Sequence, residues 1–352
     1  MGYGISPPPE QGPAEEICMK EYRRVIGAIV AVLLCVAVSQ DAGAETVEET
    51  EEVTIEFRGL VEAGSVWATD AHGLSTGPRI GMARLAGRAT YEDLGRFFVQ
   101  VDGASGNVGL LDALAVLEIQ NWLHLRAGYF KTPTSTDYNI SASQKPFPAR
   151  ALVADLTPRR APGVEVWAQA ELGDAVAAIH VGEFLPGFPG EPATSGGLFA
   201  ARAEVEWPVG LGLHVGYADH FDRLEWPDDE DVPFYVSQPR LVDLAATFSN
   251  DDWFGHAEVV MAPHRDPGYA PAGVYVAVGH RVGTIAEELT LEPIVGYDLV
   301  AVDTEFLFHR VRTGLNAYLL DYRVVPNVHY EMTIGPDSSV EHAVLGLLRI
   351  AM

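Results

Sequence analysis

The segment VTIEFRGLVEAGSVW (residues 53–67) alternates apolar and polar side chains. The apolar positions are Val53, Ile55, Phe57, Val61, Ala63 and Trp67, and the polar ones between them are Thr54, Glu56, Arg58 and Glu62. A two-residue period is that of a β-strand with one apolar and one polar face. The segment therefore predicts a strand that separates an apolar environment from an aqueous one.

The same period returns along the rest of the chain, and no stretch sustains the 3.6-residue period of an amphipathic helix. We find about sixteen such segments, beginning near residues 53, 79, 95, 111, 122, 162, 175, 198, 211, 240, 252, 273, 288, 308, 321 and 341. The sequence predicts an all-β fold with an even number of strands.

The gaps between these segments alternate in length. Residues 93–94 and 172–174 are short gaps, whereas 68–78, 132–161 and 220–239 are long. An outer-membrane barrel has short periplasmic turns and longer outer loops, and its closed sheet pairs every backbone polar group. We therefore predict a transmembrane antiparallel β-barrel over residues 53–352, located in the bacterial outer membrane. Aromatic residues near strand ends are candidates for its interfacial girdles: Trp67, Tyr91, Trp122, Tyr129, Trp207, Trp253 and Tyr297.

The N-terminal residues 1–44 are interpreted as an upstream extension followed by a secretory signal peptide, with the signal itself over residues 18–44. Basic residues precede the apolar run Val25–Val38, and the small residues Ala42 and Ala44 follow it. That run is shorter than the roughly 20 residues of a transmembrane helix. Residues 45–52 form an acidic lead-in, which is too short for a plug domain.

Composition excludes several classes of function. The formal charge of −26 opposes a nucleic-acid partner, and both cysteines precede residue 45, so disulfides are not expected in the barrel. The chain has no nucleophile elbow, phosphate-binding glycine loop or paired-histidine motif, so we expect no enzyme activity and no cofactor. The scattered histidines lack metal-ligand spacing, so no metal is expected.

The longest gap, residues 132–161, is where we expect function, since loops of this size in compact folds are usually functional. Between Asn121 and Val164 there are six basic residues and two acidic ones. If the loop folds into the lumen, its cations lower the barrier for anions; the alternative is a basic loop outside the barrel against acidic headgroups. The predicted pore-constriction residues are Arg126, Lys131, Lys145, Arg150, Arg159 and Arg160.

Charged residues on the polar parity of their strands are predicted to line the lumen. They are Arg84, Arg88, Arg202, Arg310, Arg312, Arg323, Glu56, Glu62, Glu204 and Glu292. Mixed rows of this kind either brace the wall of a barrel or contact solute, and the pattern does not separate these roles.

Three segments of the chain together resemble the phosphate-selective porin O and P family. They are LRAGYFKTP (residues 125–133), FPARAL (147–152) and RRAPGV (159–164), with weaker matches at 111–113, 291–298 and 314–318. The resemblance implies a sixteen-stranded outer-membrane channel, often trimeric, whose inward loop and basic side chains pass phosphate or related anions. Where that family usually has an arginine, this chain has Gly296.

The sequence thus predicts a porin for passive diffusion of small solutes, with small anions such as phosphate as candidate solutes. Outer-membrane lipid, lipopolysaccharide and a homotrimer are the expected partners. The acidic loop 220–239 is either a divalent-cation bridge to lipopolysaccharide or a solvated loop. The alternatives for the whole chain are a barrel serving as adhesin or envelope anchor, a barrel hydrolase and a secreted sugar-binding sandwich.

Overall fold

The computed structural model describes residues 53–70, 73–91, 94–104, 106–185, 197–220, 240–262, 271–286, 289–301, 307–320, 322–336 and 338–352. The predicted signal peptide, the acidic lead-in and most of the acidic loop 220–239 lie outside these residues. The strands are β1 (Val53–Asp70), β2 (Gly73–Tyr91), β3 (Gly95–Asp102), β4 (Gly109–Gln120), β5 (Leu123–Lys131), β6 (Arg160–Leu172), β7 (Ala175–Phe184), β8 (Leu198–Glu206), β9 (Leu211–His220), β10 (Arg240–Ser249), β11 (Trp253–Met261), β12 (Ala272–His280), β13 (Val282–Ala286), β14 (Leu289–Ala301), β15 (Leu307–Leu319), β16 (Val324–Ile334) and β17 (Val340–Ala351).

These strands form one closed antiparallel sheet. Each strand pairs with its neighbours in sequence, and β1 closes the sheet by pairing with both β2 and β17. The segments β12 and β13 both pair with β14, so they occupy one position in the wall. The chain is therefore a sixteen-stranded β-barrel, as predicted, and closure leaves no open sheet edge.

The two faces of the wall differ as the alternation predicts. On β1, Ile55 and Phe57 expose 48% and 45% of their surface, whereas Glu62 on the opposite parity exposes 2%. Exposed apolar side chains recur on the same outward parity around the barrel, among them Trp67, Trp122, Trp253 and Tyr297 from the predicted girdles. A continuous outer apolar surface of this kind is typical of contact with lipid.

The largest difference from the prediction in the connections is at the β1–β2 hairpin. The predicted long gap 68–78 is mostly strand: β1 and β2 continue to a pairing between Asp70 and Gly73. The reason is that these residues pair with each other as the end of a hairpin, although their small and polar composition is that of a loop.

Two short helices follow β5, namely α1 (Thr136–Asn139) and a 3₁₀ helix (Leu152–Leu156). No helix among the described residues is long and apolar enough to cross a membrane. Both helices belong to the segment 132–159 between β5 and β6, which we call the inner loop because its contacts are with inward-facing side chains of the wall. The loop ends two residues earlier than the predicted 161, since β6 begins at Arg160.

Candidate functional site

The inner loop is held at α1 by one buried carboxylate of the wall. Glu258, on β11, accepts hydrogen bonds from the Ser135 hydroxyl (2.6 Å) and from the backbone N–H groups of Thr136 (3.0 Å) and Asp137 (2.8 Å). His256 lies 3.1 Å from the other side of the carboxylate. Because the first N–H groups of a helix have no partner within the helix, this carboxylate satisfies them and fixes the loop to the wall.

The second half of the loop is held by β14 and β15. The backbone N–H of Leu152 donates to Asp298 (3.0 Å), whose carboxylate lies 2.9 Å from the guanidinium of Arg312. Arg312 also donates to the carbonyl of Ala149 (2.9 Å), and Arg310 donates to the carbonyl of Arg150. Arg312 has no exposed side-chain surface, so its charge is used within the protein.

The middle of the loop contacts β15, β17 and β1. Asn316 donates to the carbonyl of Pro146 (3.1 Å), and Arg349 donates to the carbonyl of Lys145 (3.2 Å). Arg349 is also paired with Glu62 at 2.9 Å. The loop therefore starts on β5 and reaches wall strands far from it in the barrel.

Apolar side chains fill the space between the loop and these strands. Phe147, Val153 and Leu156 are fully buried in one cluster with wall residues that include Tyr275. Glycine at the facing wall position makes room for them: a Cβ added at Gly296 would lie 2.7 Å from the Phe147 ring. An arginine at this position, as in the phosphate-selective family, is incompatible with this packing.

On the opposite side of the loop, three cations bond to carbonyl oxygens. Lys131 donates to the carbonyls of Asn139 and Ile140 (both 3.2 Å), and Lys145 donates to the carbonyl of Pro148. Arg150 donates to the carbonyls of Asp137 and Ile140. A carbonyl satisfies the donor but does not cancel a positive charge. Lys131 and Lys145 have no carboxylate partner among the described residues, whereas Arg150 lies 3.9 Å from the Asp137 carboxylate.

Burial changes the proton affinity of two of these loop groups. Burial, opposed by Glu62 and reinforced by Arg150, lowers the pKa of Lys145 to about 7. Burial also lowers the pKa of Arg150, but a guanidinium stays charged at neutral pH. Lys145 is therefore a loop residue whose charge changes near neutral pH.

Two further arginines near the loop are paired with carboxylates. Arg84 lies 2.8 Å from Asp102, and Arg160 lies 3.0 Å from Asp112 and 3.3 Å from the Tyr138 hydroxyl. Both pairs are partly exposed. Because each guanidinium is matched by a carboxylate, these pairs add little net charge to the lumen.

A cavity of about 380 Å³ lies in the half of the barrel nearer the short turns. Its wall is formed by β2–β7, and no residue of the inner loop lines it. The lining residues are Arg88, Arg96, Phe98, Leu114, Val116, Arg126, Glu165, Trp167 and His180. Three guanidinium groups and one carboxylate thus line the cavity, and one of the three, that of Arg126, is in direct contact with the carboxylate of Glu165.

The predicted constriction residues separate into three groups. Lys131, Lys145 and Arg150 lie at the inner loop, with Arg160 beside them, whereas Arg126 lies on β5 and lines the cavity, where it is bound by Glu165 at 2.7 Å. Arg159 is exposed and paired with Asp155 at 2.7 Å.

The predicted lumen residues also separate by burial. Arg310, Arg312, Glu62 and Glu292 are buried; Arg84, Arg88, Arg202, Glu204 and Glu56 are partly or well exposed. Arg323 is placed differently from the prediction: it is an exposed residue of the turn between β15 and β16, since β16 begins at Val324. Within the described ranges, no group of three or more His, Asp or Glu side chains is arranged to hold a metal ion.

Four residues that our sequence reasoning did not assign to the site are central to it: Glu258, Arg349, Arg96 and Trp167. Arg96 and Arg349 occupy the polar parity of their strands, so parity alone was sufficient to find them. Glu258 and Trp167 required the tertiary structure, because nothing local indicates that the loop binds the former or that the latter lines a cavity.

Solved structures with the same architecture come from several bacteria. The anion-selective porin from Comamonas acidovorans matches with a TM-score of 0.65 and 12% identity, over 86% of this chain and 100% of that one. The outer membrane channel DcaP of Acinetobacter baumannii matches with a TM-score of 0.57 and 12% identity, over 88% and 100%. The trimer form of the Vibrio cholerae outer membrane protein OmpT matches with 0.53 and 12%, over 86% and 100%.

The fold of this chain is that of outer-membrane porins. No protein-family model matches the sequence. No curated protein matches it either. At 12% identity the structural likeness concerns the fold, so solute and selectivity are argued from the residues of the lumen.

Proposed function

We propose that the protein is an outer-membrane porin, a water-filled channel through which small solutes diffuse passively, with a preference for anions. The outward apolar surface of the closed barrel supports the membrane location. The observation that carries the channel assignment is the unequal filling of the lumen: the inner loop packs against β11–β15, while the cavity along β2–β7 contains no loop residue.

The charges along this open side support anion preference. Lys131, Lys145 and Arg150 bond to carbonyls, and three arginines line the cavity nearer the turns. Positive charge beside a narrow water-filled passage lowers the energy of a passing anion and raises that of a cation. The overall charge of −26 does not oppose this, because it is the local charge that acts on an ion at close range.

Finer parts of the proposal are phosphate as a solute and assembly as a homotrimer. Phosphate is supported by the motif resemblance and by the cations of the inner loop. A trimer is supported by the trimer form of OmpT with the same fold. Lipid and lipopolysaccharide are the partners that the outward apolar surface and its aromatic residues favour.

The proposal is tested with purified protein in planar lipid bilayers under a KCl gradient. The wild type is expected to give conductance steps and a reversal potential of anionic sign. In Lys131→Gln/Lys145→Gln the anion-to-cation permeability ratio is expected to fall several-fold, since two basic side chains are removed without leaving a carboxylate unpaired. Arg159→Gln is the matched control, because this arginine is exposed and paired with Asp155. A cation-selective wild type would contradict the proposed preference.

A protein that inserts but gives no conductance steps would instead support the adhesin or envelope-anchor alternative. Phosphate selectivity is measured in a separate experiment, by the reversal potential in solutions that contain both phosphate and chloride. Chemical cross-linking of the protein in detergent tests whether it assembles as a trimer.

A further inference from the structure

The cavity on β2–β7 has a composition that a passage for inorganic ions does not require. Besides the three arginines, its lining includes Phe98, Trp167, Leu114 and Val116. An apolar lining makes no favourable contact with phosphate or chloride, whereas it binds the hydrocarbon part of an organic anion. We propose that this cavity, which we call the vestibule site, binds organic anions that carry one carboxylate on a compact apolar body, such as aromatic carboxylates.

This inference deepens the proposed channel function and rests on it for its biological meaning, but the binding itself depends only on the vestibule site. The three arginines of the site differ in what they already bind. Arg126 is engaged by Glu165, whose side chain is fully buried, and lies over the Phe130 ring at 4.2 Å. Arg126 therefore offers little net charge to a ligand, since most of its charge is cancelled by this carboxylate.

Arg96 is the arginine that is available for a ligand. Its side chain is exposed to the cavity and has no hydrogen bond or ion pair with any residue that the structure describes. Arg88 is the second, because its carboxylate contact, Glu56, is 3.6 Å away and exposed. A guanidinium binds a carboxylate through two parallel hydrogen bonds, so Arg96 and Arg88 form the anion-binding part of the vestibule site.

The apolar part lies next to these arginines in the sheet. Arg88 pairs in register with Phe98, and Phe98 pairs with Leu114; Arg96 pairs with Val116. Basic and apolar side chains therefore lie next to each other, within a few ångströms, on this part of the barrel wall. A ligand whose carboxylate contacts Arg96 places its apolar body against Phe98 and Leu114.

Trp167 closes the site on the side of β6. Its ring is stacked on His124 at 4.4 Å and lies parallel to His180 at 6.2 Å. These neighbours hold the indole in one orientation along the wall. A rigid aromatic surface contacts a ligand with little loss of side-chain entropy.

The test uses benzoate as the probe and inorganic phosphate as the comparison, with the full-length barrel in detergent and in planar bilayers. Isothermal titration measures binding without any need for conductance, and current block by benzoate measures the same site in the open channel. Arg96→Gln is expected to weaken benzoate binding about tenfold. Phe98→Ala is expected to weaken benzoate binding by a similar factor and to leave phosphate block unchanged, since phosphate has no apolar body.

Arg240→Gln is the matched control, because Arg240 is exposed at the other end of the barrel and paired with Asp219 at 3.4 Å. Phe98→Leu keeps an apolar side chain of similar size if Phe98→Ala does not fold, and it is expected to retain most of the binding. No benzoate binding by a conducting wild type, or equal benzoate affinity in Phe98→Ala, would overturn the vestibule site and leave the channel intact. Benzoate binding by a barrel that does not conduct would support the site and contradict the channel.

Discussion

Two regions of the lumen use the same residue type for opposite purposes. Arg312, on β15, has no exposed side-chain surface, lies 2.9 Å from Asp298 and packs 4.3 Å from the Phe147 ring. Arg96, on β3, occupies the same inward parity, and its exposed side chain has no hydrogen bond or ion pair with the described residues. The first holds the inner loop to the wall, and the second faces water.

The difference shows that inward parity does not by itself assign a role to a charge. A buried guanidinium requires its carboxylate, since an uncompensated buried charge costs several kcal/mol. An exposed one keeps its hydration and is free to act on solute. The inner loop decides between the two cases, because it covers Arg312 on β15, whereas no loop residue lines the cavity at Arg96.

The largest expected effect on this contrast comes from Glu258→Ala. The change removes the acceptor for three donors of the inner loop, so we expect a loss of about 4 kcal/mol in unfolding free energy. The loop is then expected to leave the wall, which raises single-channel conductance and exposes Lys145 and Arg150 to trypsin. Denaturant unfolding, conductance and digestion measure the three consequences.

The control for this variant is Glu171→Gln, because Glu171 is an exposed carboxylate near the end of β6. Unaltered conductance in a destabilised Glu258→Ala would mean that the loop stays in the lumen without its carboxylate anchor.

The next largest effect comes from making the same substitution, arginine to methionine, in each of the two regions. Arg312→Met leaves the buried Asp298 with Arg310 as its remaining cation and the Ala149 carbonyl without its donor, and it is expected to cost about 2 kcal/mol in unfolding free energy. Arg96→Met is expected to cost less than about 0.5 kcal/mol, since its side chain is exposed, and to reduce the anion-to-cation permeability ratio. Unfolding and reversal potential are measured on both variants. Similar unfolding free energies for the two would contradict the division of the lumen.

The smallest effect is that of pH on the inner loop. Because burial lowers the pKa of Lys145 to about 7, its ammonium is charged below that pH and neutral above it. Anion preference is therefore expected to decrease moderately between pH 6 and pH 8. Reversal potentials over this range measure it, and the decrease is expected to be smaller in Lys145→Met than in the wild type. A wild type with no pH dependence would place this amine away from the conducting path.

Strand positions followed from the sequence because a wall between two solvents imposes a two-residue period at every position. β3, β7, β8, β9 and β10 begin at the predicted residues. The two-residue period gives no information where neither face of a strand is apolar. For this reason the sequence predicted a loop at the end of the β1–β2 hairpin. Strand ends are likewise poorly marked, which is why Arg323 was assigned to a strand and lies in a turn.

The sequence by itself determined the closed antiparallel barrel, the inward set of charged residues and the basic loop between β5 and β6. Local alternation is sufficient for this, since each residue need only match one of two environments. Only the tertiary structure decided which strands the inner loop covers and hence which arginines brace the wall and which face water. That outcome depends on pairs distant in sequence, such as Glu258 with Ser135 and Phe147 opposite Gly296, and no local period encodes them.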